Sequence, residues 1–154
     1  MTDVRVGVVD VFVVRPQSDG WRVLVLQRAS GVRCPGAWEA VHGSIEPGEL
    51  PAEAALREVR EETGLAVERL YTVTTNPFYL PKLDVVQIAI VFVAFVPLAG
   101  DVVTAEEHEA HAWLPLDAAI ERLLWPRSKA TLRDAHALLG GGDAGPAEDV
   151  LRVV

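Results

Sequence analysis

Two apolar runs dominate the pattern of the chain. Val4–Val14 and Val85–Val96 (VVQIAIVFVAFV) are apolar at nearly every position, with almost no alternation. A strand with one wet face alternates, so unbroken runs predict strands buried on both faces. The second run is rich in β-branched and aromatic residues, which suits a central strand. Trp21–Gln27 predicts a strand paired with the first across a turn at Arg15–Gly20, where Pro, Ser, Asp and Gly cluster. Val67–Thr75 predicts another, and Trp38–His42 and Ala110–Leu114 predict shorter ones. Helical periodicity is clearest over Pro51–Thr63, where Ala52, Ala55, Leu56, Val59 and Thr63 form one apolar stripe. Pro51 suits the first turn, and Gly64 suits the position just past the end. Leu116–Leu124 and Ser128–Leu139 predict two more helices, divided by Pro126. Ala29–Ala37 and Gly43–Leu50 read as loops, and Phe78 and Tyr79 as a loop pair between Pro77 and Pro81. Strands interleaved with two or three helices predict an α/β fold, a sheet sandwiched between helices.

A length of 154 residues suits one domain. The domain is expected over residues 1–139. Residues 140–154 begin Gly-Gly-Gly-Asp-Ala-Gly-Pro and predict a flexible tail, in which Val150–Val154 could dock on a sheet edge. The formal net charge of −8 opposes binding to a nucleic-acid polymer, which needs a basic surface. Neither apolar run is long enough to span a bilayer. The start, Met1-Thr2-Asp3-Val4-Arg5, lacks the layout of a secretory signal, so a cytoplasmic location is expected. Cys34 is the single cysteine, so no internal disulfide can form; it reads as a small loop residue.

The chemistry concentrates in Gly43–Leu65, GSIEPGELPAEAALREVREETGL. Spacings of three and four put Glu58, Glu61 and Glu62 on one helix face, about 120° from the apolar stripe. Such a face is often merely solvated. Three like charges this close also repel one another, and a hard cation removes that cost. Arg57 lies four residues after Glu53 and four before Glu61, so it can hold carboxylates in place. Gly43 lets the backbone turn sharply or come close to a ligand.

The same segment resembles the box of the Nudix hydrolases, G-x5-E-x7-R-E-U-x-E-E-x-G-U with U a bulky aliphatic. Gly43, Glu49, Arg57, Glu58, Val59, Glu61, Glu62, Gly64 and Leu65 match it at every fixed position. The resemblance implies the Nudix fold, a mixed β-sheet between helices (α/β/α). It also implies hydrolysis of a phosphoanhydride bond in a small nucleoside polyphosphate or related molecule. Mg²⁺ would be the cofactor, with Mn²⁺ able to substitute. Position by position, Glu58, Glu61 and Glu62 become metal ligands and catalytic acids. Glu49 becomes a supporting ligand, and the Gly43 carbonyl an additional one. Arg57 becomes the catalytic arginine that holds them. Trp113-Leu114-Pro115-Leu116-Asp117 resembles the family's approach to its second helix. An acid in the loop before that tryptophan, Glu107 in preference to Glu106 or Glu109, becomes a further base or ligand.

Weaker likenesses, EHEAHAWLPLDAA and LLWPRSKATL, resemble bacterial dihydroneopterin triphosphate or dATP pyrophosphohydrolases. They imply a triphosphate substrate cut to a monophosphate and pyrophosphate. An ADP-ribose or nucleotide-sugar diphosphatase and a non-catalytic nucleotide sensor are the rivals. An isomerase on the same scaffold would want a cysteine in Trp38–His42, which has none. Arg28 and Arg33 are candidates for phosphate binding; Trp38, Phe78 and Tyr79 are candidates for ring stacking. Each has a bland alternative as a solvated or core residue. No membrane partner is expected, and a homodimer is left open.

Overall fold

The computed structural model describes residues 1–154. A mixed seven-stranded sheet runs through it, with the path β3-β2-β1-β6-β5. Its strands are β1 (Asp3–Gln17), β2 (Gly20–Arg28), β3 (Trp38–Glu39), β4 (Val41–Ser44), β5 (Arg69–Leu80), β6 (Val85–Phe95) and β7 (His108–Pro115). β1 and β6 run parallel at the centre, and every other pairing is antiparallel. β4 adds to β1, and β7 to β2. The helices are α1 (Pro51–Thr63), α2 (Leu116–Arg122), α3 (Pro126–Leu139) and the short α4 (Glu148–Leu151).

The unbroken apolar runs are explained by two cores, one on each face of the sheet. Val9, Val11 and Val13 of β1, with Phe92, Ala94 and Val96, pack under Ala54, Ala55 and Val59 of α1. Phe12 and Val14, with Val91, Val93 and Phe95, pack under Ile120, Leu132 and Leu139 of α2 and α3. Side chains alternate along a strand, so odd and even positions of β1 serve different helices. α1 ends where expected, with Gly64 in the left-handed region at φ 73°. At its start, the Glu53 carboxylate accepts the Leu50 N–H at 2.9 Å.

Two expectations need correction. Phe78 and Tyr79 lie in no loop, because β5 continues to Leu80 and stays paired with β6. A β-bulge at Val73, where the register shifts between Thr72 and Thr74, reverses the side-chain parity of the strand beyond it. Asn76, Phe78 and Leu80 therefore face α3, and Asn76 donates to Thr131 of that helix at 2.9 Å. Residues 140–154, expected to form a flexible tail, fold back onto β5. Val153 N–H donates to Leu70 C=O at 2.8 Å, Tyr71 OH donates to Glu148 at 2.8 Å, and Ala144 is buried. Val153 and Val154 meet the sheet edge, as allowed for. The preceding glycines supply the bend, and buried backbone and phenol groups at the edge gain partners. No helix is long and apolar enough to cross a membrane.

Candidate active site

The box folds as loop, helix and turn against β4 and β1. Val9 pairs with Gly43 across the two strands, so the glycine is fixed at the edge of the acid face. A Cβ at Gly43 would lie 2.0 Å from the Glu58 carboxyl carbon, so any larger residue there would push the Glu58 carboxylate from this position. Arg57 is the hub of the face. Its Nε and Nη2 grip Glu49 at 2.8 and 2.9 Å, its Nη1 reaches Glu58 at 2.8 Å and Glu61 at 3.2 Å, and Nη2 also reaches the Ser44 carbonyl. The expected tie to Glu53 is absent, because that carboxylate caps the helix instead. Paired with Arg57 in this way, the Glu49 carboxyl is held down at about 2.

The three acids are not equivalent. Glu61 is exposed, Glu58 is largely covered, and Glu62 is buried at 3% exposure. Glu62 has one hydrogen bond, from the His42 N–H at 3.3 Å, and no cation bridges it. Burial, then the charges of Glu58, Glu39 and Glu107, push its carboxyl up to about 9. A solvated helix face does not bury its glutamate in this way. A carboxylate sunk among other carboxylates beyond the reach of Arg57 is a group that a hard cation would complete. The donor set therefore fits a divalent metal, although no three acids are drawn together into a ready-made cage.

Two cavities meet at Arg28, Arg33 and His42. The first, about 490 Å³, is the acid lobe, lined by Gly43, Ser44, Glu46, Arg57, Glu58 and Glu107. Glu107 thus faces the box from the loop before β7, whereas Glu109 is exposed on the strand. Glu107 is anchored on both sides: its carbonyl accepts the Ala29 N–H at 2.9 Å, and the next residue, buried His108, hydrogen-bonds Glu39 at 2.9 Å. Glu39 also accepts from Arg28 at 2.9 Å, so one buried carboxylate positions both the arginine and the acid loop.

The second cavity, about 310 Å³, adds Asp10, Glu39, Phe78, Leu80, Trp125 and Arg127. The Arg127 guanidinium is held between Phe78 and Trp125, 4.2 and 5.0 Å from the ring centres. Arg28, Arg33 and Phe78 therefore lie where a substrate could meet them, and exposed Cys34 lies at the rim. Trp38 and Tyr79 do not. Trp38 packs against the core under Arg122, and Tyr79, on the opposite face of β5 from Phe78, donates to Asp84 at 2.9 Å. Asp10, Glu39, Trp125 and Arg127 escaped the sequence reading. A lone carboxylate inside an otherwise apolar, doubly buried strand was the available signal for Asp10.

A family model described as NUDIX domain matches residues 4–135. The chain belongs to the Nudix family. Among curated proteins, the chain is 32% identical over 122 residues to the mouse bis(5'-nucleosyl)-tetraphosphatase [asymmetrical], covering 75% of this chain and 79% of that one. It is 34% identical over 131 residues to an octanoyltransferase from Myxococcus xanthus; this match covers 84% of the chain but only 36% of that longer protein. The solved structure of the Escherichia coli dihydroneopterin triphosphate pyrophosphohydrolase superposes with a TM-score of 0.67 at 27% identity. That superposition covers 86% of this chain and 96% of the other. The Nudix fold is thus established, and the chain is a Nudix pyrophosphohydrolase.

Proposed function

We propose that this Nudix enzyme cleaves a nucleoside triphosphate-like substrate, a (d)NTP or dihydroneopterin triphosphate, to a monophosphate and pyrophosphate. The observation that carries the reading is the two-lobed groove, with an acid lobe for the polyphosphate joined at Arg28 and Arg33 to an aromatic lobe for a ring. Glu58, Glu61 and Glu62, supported by Glu49 and the Gly43 carbonyl, would hold Mg²⁺ or Mn²⁺. The cation supplies charge stabilisation at the phosphoryl oxygens and offsets the approach of an anion to an acidic protein. Arg57 keeps Glu49, Glu58 and Glu61 in place without touching substrate. Arg28 and Arg33 face the phosphate chain where the lobes meet. Glu107 takes a proton from the attacking water; its side-chain carboxylate has no hydrogen-bond partner in the chain, whereas Glu58 is already paired with Arg57. The water oxygen forms a bond to phosphorus, and the anhydride oxygen opposite leaves with its electron pair as pyrophosphate.

The likeness to the mouse tetraphosphatase supports a second reading, an asymmetric cut in a dinucleoside polyphosphate. Product analysis separates the readings. Incubation of the protein with Mg²⁺ and each of GTP, dATP, dihydroneopterin triphosphate, diadenosine tetraphosphate and ADP-ribose should release pyrophosphate from a triphosphate. Excess EDTA should abolish that turnover, and added Mg²⁺ should restore it. Release of ATP and AMP from the dinucleotide, with no pyrophosphate from any triphosphate, would replace the first reading by the second. Undiminished turnover in EDTA would remove the metal.

A further inference from the structure

The aromatic lobe holds two charged groups whose hydrogen-bonding capacity the chain leaves wholly or partly unused. Arg127 sits at the start of α3, with its plane fixed by Phe78 and Trp125. Its guanidinium has five N–H donors, and none meets an acceptor; the Nε–H is buried and unpartnered. Asp10 lies on β1 directly opposite His42 of β4, on the sheet face that looks toward α3. His42 Nδ1–H donates to one Asp10 oxygen at 2.5 Å, and no protein donor takes the other. Arg127 feels the charges of Asp10 and Glu39 yet bridges neither. A half-buried guanidinium without a partner, beside a largely covered carboxylate with one oxygen unpaired, is costly unless water or a ligand supplies the missing bonds.

The local pairing of charges selects the ligand. Arg28, Arg33 and Arg127 line the cavity with Asp10 and Glu39; Glu39 is already paired with Arg28, and a phosphate on Arg127 would meet the neighbouring Asp10 carboxylate. A neutral, flat ring meets no such repulsion. The single free Asp10 oxygen calls for one N–H donor, and Arg127 calls for an acceptor close by. At about 310 Å³, the cavity is at the small end of ligand-pocket sizes, which suits a ring rather than a whole nucleotide. Within the reading of the groove given above, we propose that Asp10 and Arg127 form the specificity element for the substrate's ring. They read the edge of a nitrogen heterocycle that carries an amino group next to a ring-nitrogen or carbonyl acceptor, such as an aminopurine or a pterin. Asp10 accepts from the amino group, Arg127 donates to the acceptor, and His42 holds Asp10 in the orientation that leaves one oxygen open.

The test uses uncharged probes, so it does not depend on metal or hydrolysis. Adenosine, guanosine, neopterin and the amino-less purine riboside are titrated in EDTA into the full chain, followed by tryptophan fluorescence. Adenosine, guanosine or neopterin should bind about tenfold or more tightly than purine riboside. Asp10→Asn should remove that preference. Arg127→Gln should weaken binding of the amino-bearing ring by about tenfold or more, and Arg127→Lys should not restore it, because an ammonium lacks the planar fork. Arg133→Gln, exposed on the same helix, is the control. Circular dichroism melts show whether each variant is folded; if Asp10→Asn is not, the Arg127 pair carries the test. Equal binding of adenosine and purine riboside by the unaltered protein, full rescue by Arg127→Lys, or no ring binding at all would overturn the assignment. Ring binding with this pattern in a protein that releases no pyrophosphate would keep the assignment and defeat the triphosphate reading.

Discussion

The acid lobe and the ring lobe meet at three side chains but are built in different ways. Half of the residues lining the acid lobe come from one stretch, Gly43 to Glu58, and helix spacing sets Glu58 beside Glu61 and Glu62. The ring lobe takes Asp10 from β1, Arg28 from β2, Phe78 from β5 and Arg127 from α3. A site made by one local element survives small shifts of the rest of the fold. A site made by four elements depends on every register between them. The first kind can be recognised from spacing along the chain, whereas the second exists only once the sheet has formed.

The largest expected effect falls on the local lobe. Glu62→Gln keeps size and helix propensity and can still accept the His42 N–H. Turnover should fall by about 10²–10³, while the melting temperature without metal holds, since a carboxyl pushed up to about 9 is already uncharged at neutral pH. Exposed Glu61 should respond less than Glu62, and Arg60→Gln, on the solvent side of α1, should change little. Turnover of Glu62→Gln equal to that of the Arg60 control would leave the box with no catalytic part.

Next is the one acid that the fold adds to the local lobe. Glu107→Gln should cost about 10²-fold in kcat if it is the base, and Glu109→Gln should cost little. The reverse order would move the role two residues onward, from the loop onto β7, and break the link between His108, Glu39 and the loop.

The ring lobe should respond in KM rather than kcat. Phe78→Ala removes a wall and the seat of Arg127, so KM should rise by about tenfold. Tyr79→Ala should leave KM unchanged. Equal effects would mean that the parity set by the bulge at Val73 does not govern which aromatic faces substrate.

The smallest effect concerns the far end of β5, where the tail docks. Truncation after Gly140 should lower the melting temperature by about 2–6 °C, from roughly 1–2 kcal/mol of lost hydrogen bonds and packing. Glu148 links this to pH: bonds from Ala144 N–H and then Tyr71 hold its carboxyl below 4.5. A depressed carboxyl contributes stability above its unfolded value and loses it as pH falls through the folded one. The difference between full and truncated chains should therefore be complete above pH 4.5 and shrink below it. Identical melts at neutral pH would return residues 140–154 to the role of a loose tail.

The sequence alone determined whatever depends on neighbours a few residues away. The acid face of α1 follows from the helical period, its ends from Pro51 and Gly64, and the doubly buried strands β1 and β6 from unbroken apolar runs. Those spacings also carry the Nudix box, and with it the family. Tertiary structure decided which pairings the sheet would choose. The bulge at Val73 turned Phe78 inward and Tyr79 outward, and the β1–β4 register set Asp10 against His42. Packing of α3 brought Arg127 to Phe78, 49 positions earlier in the chain. It also left Trp38 in the core, where Arg122 covers it. A one-residue shift in a strand costs little locally yet reverses every side chain beyond it, so only the packed sheet fixes which groups line the ring lobe.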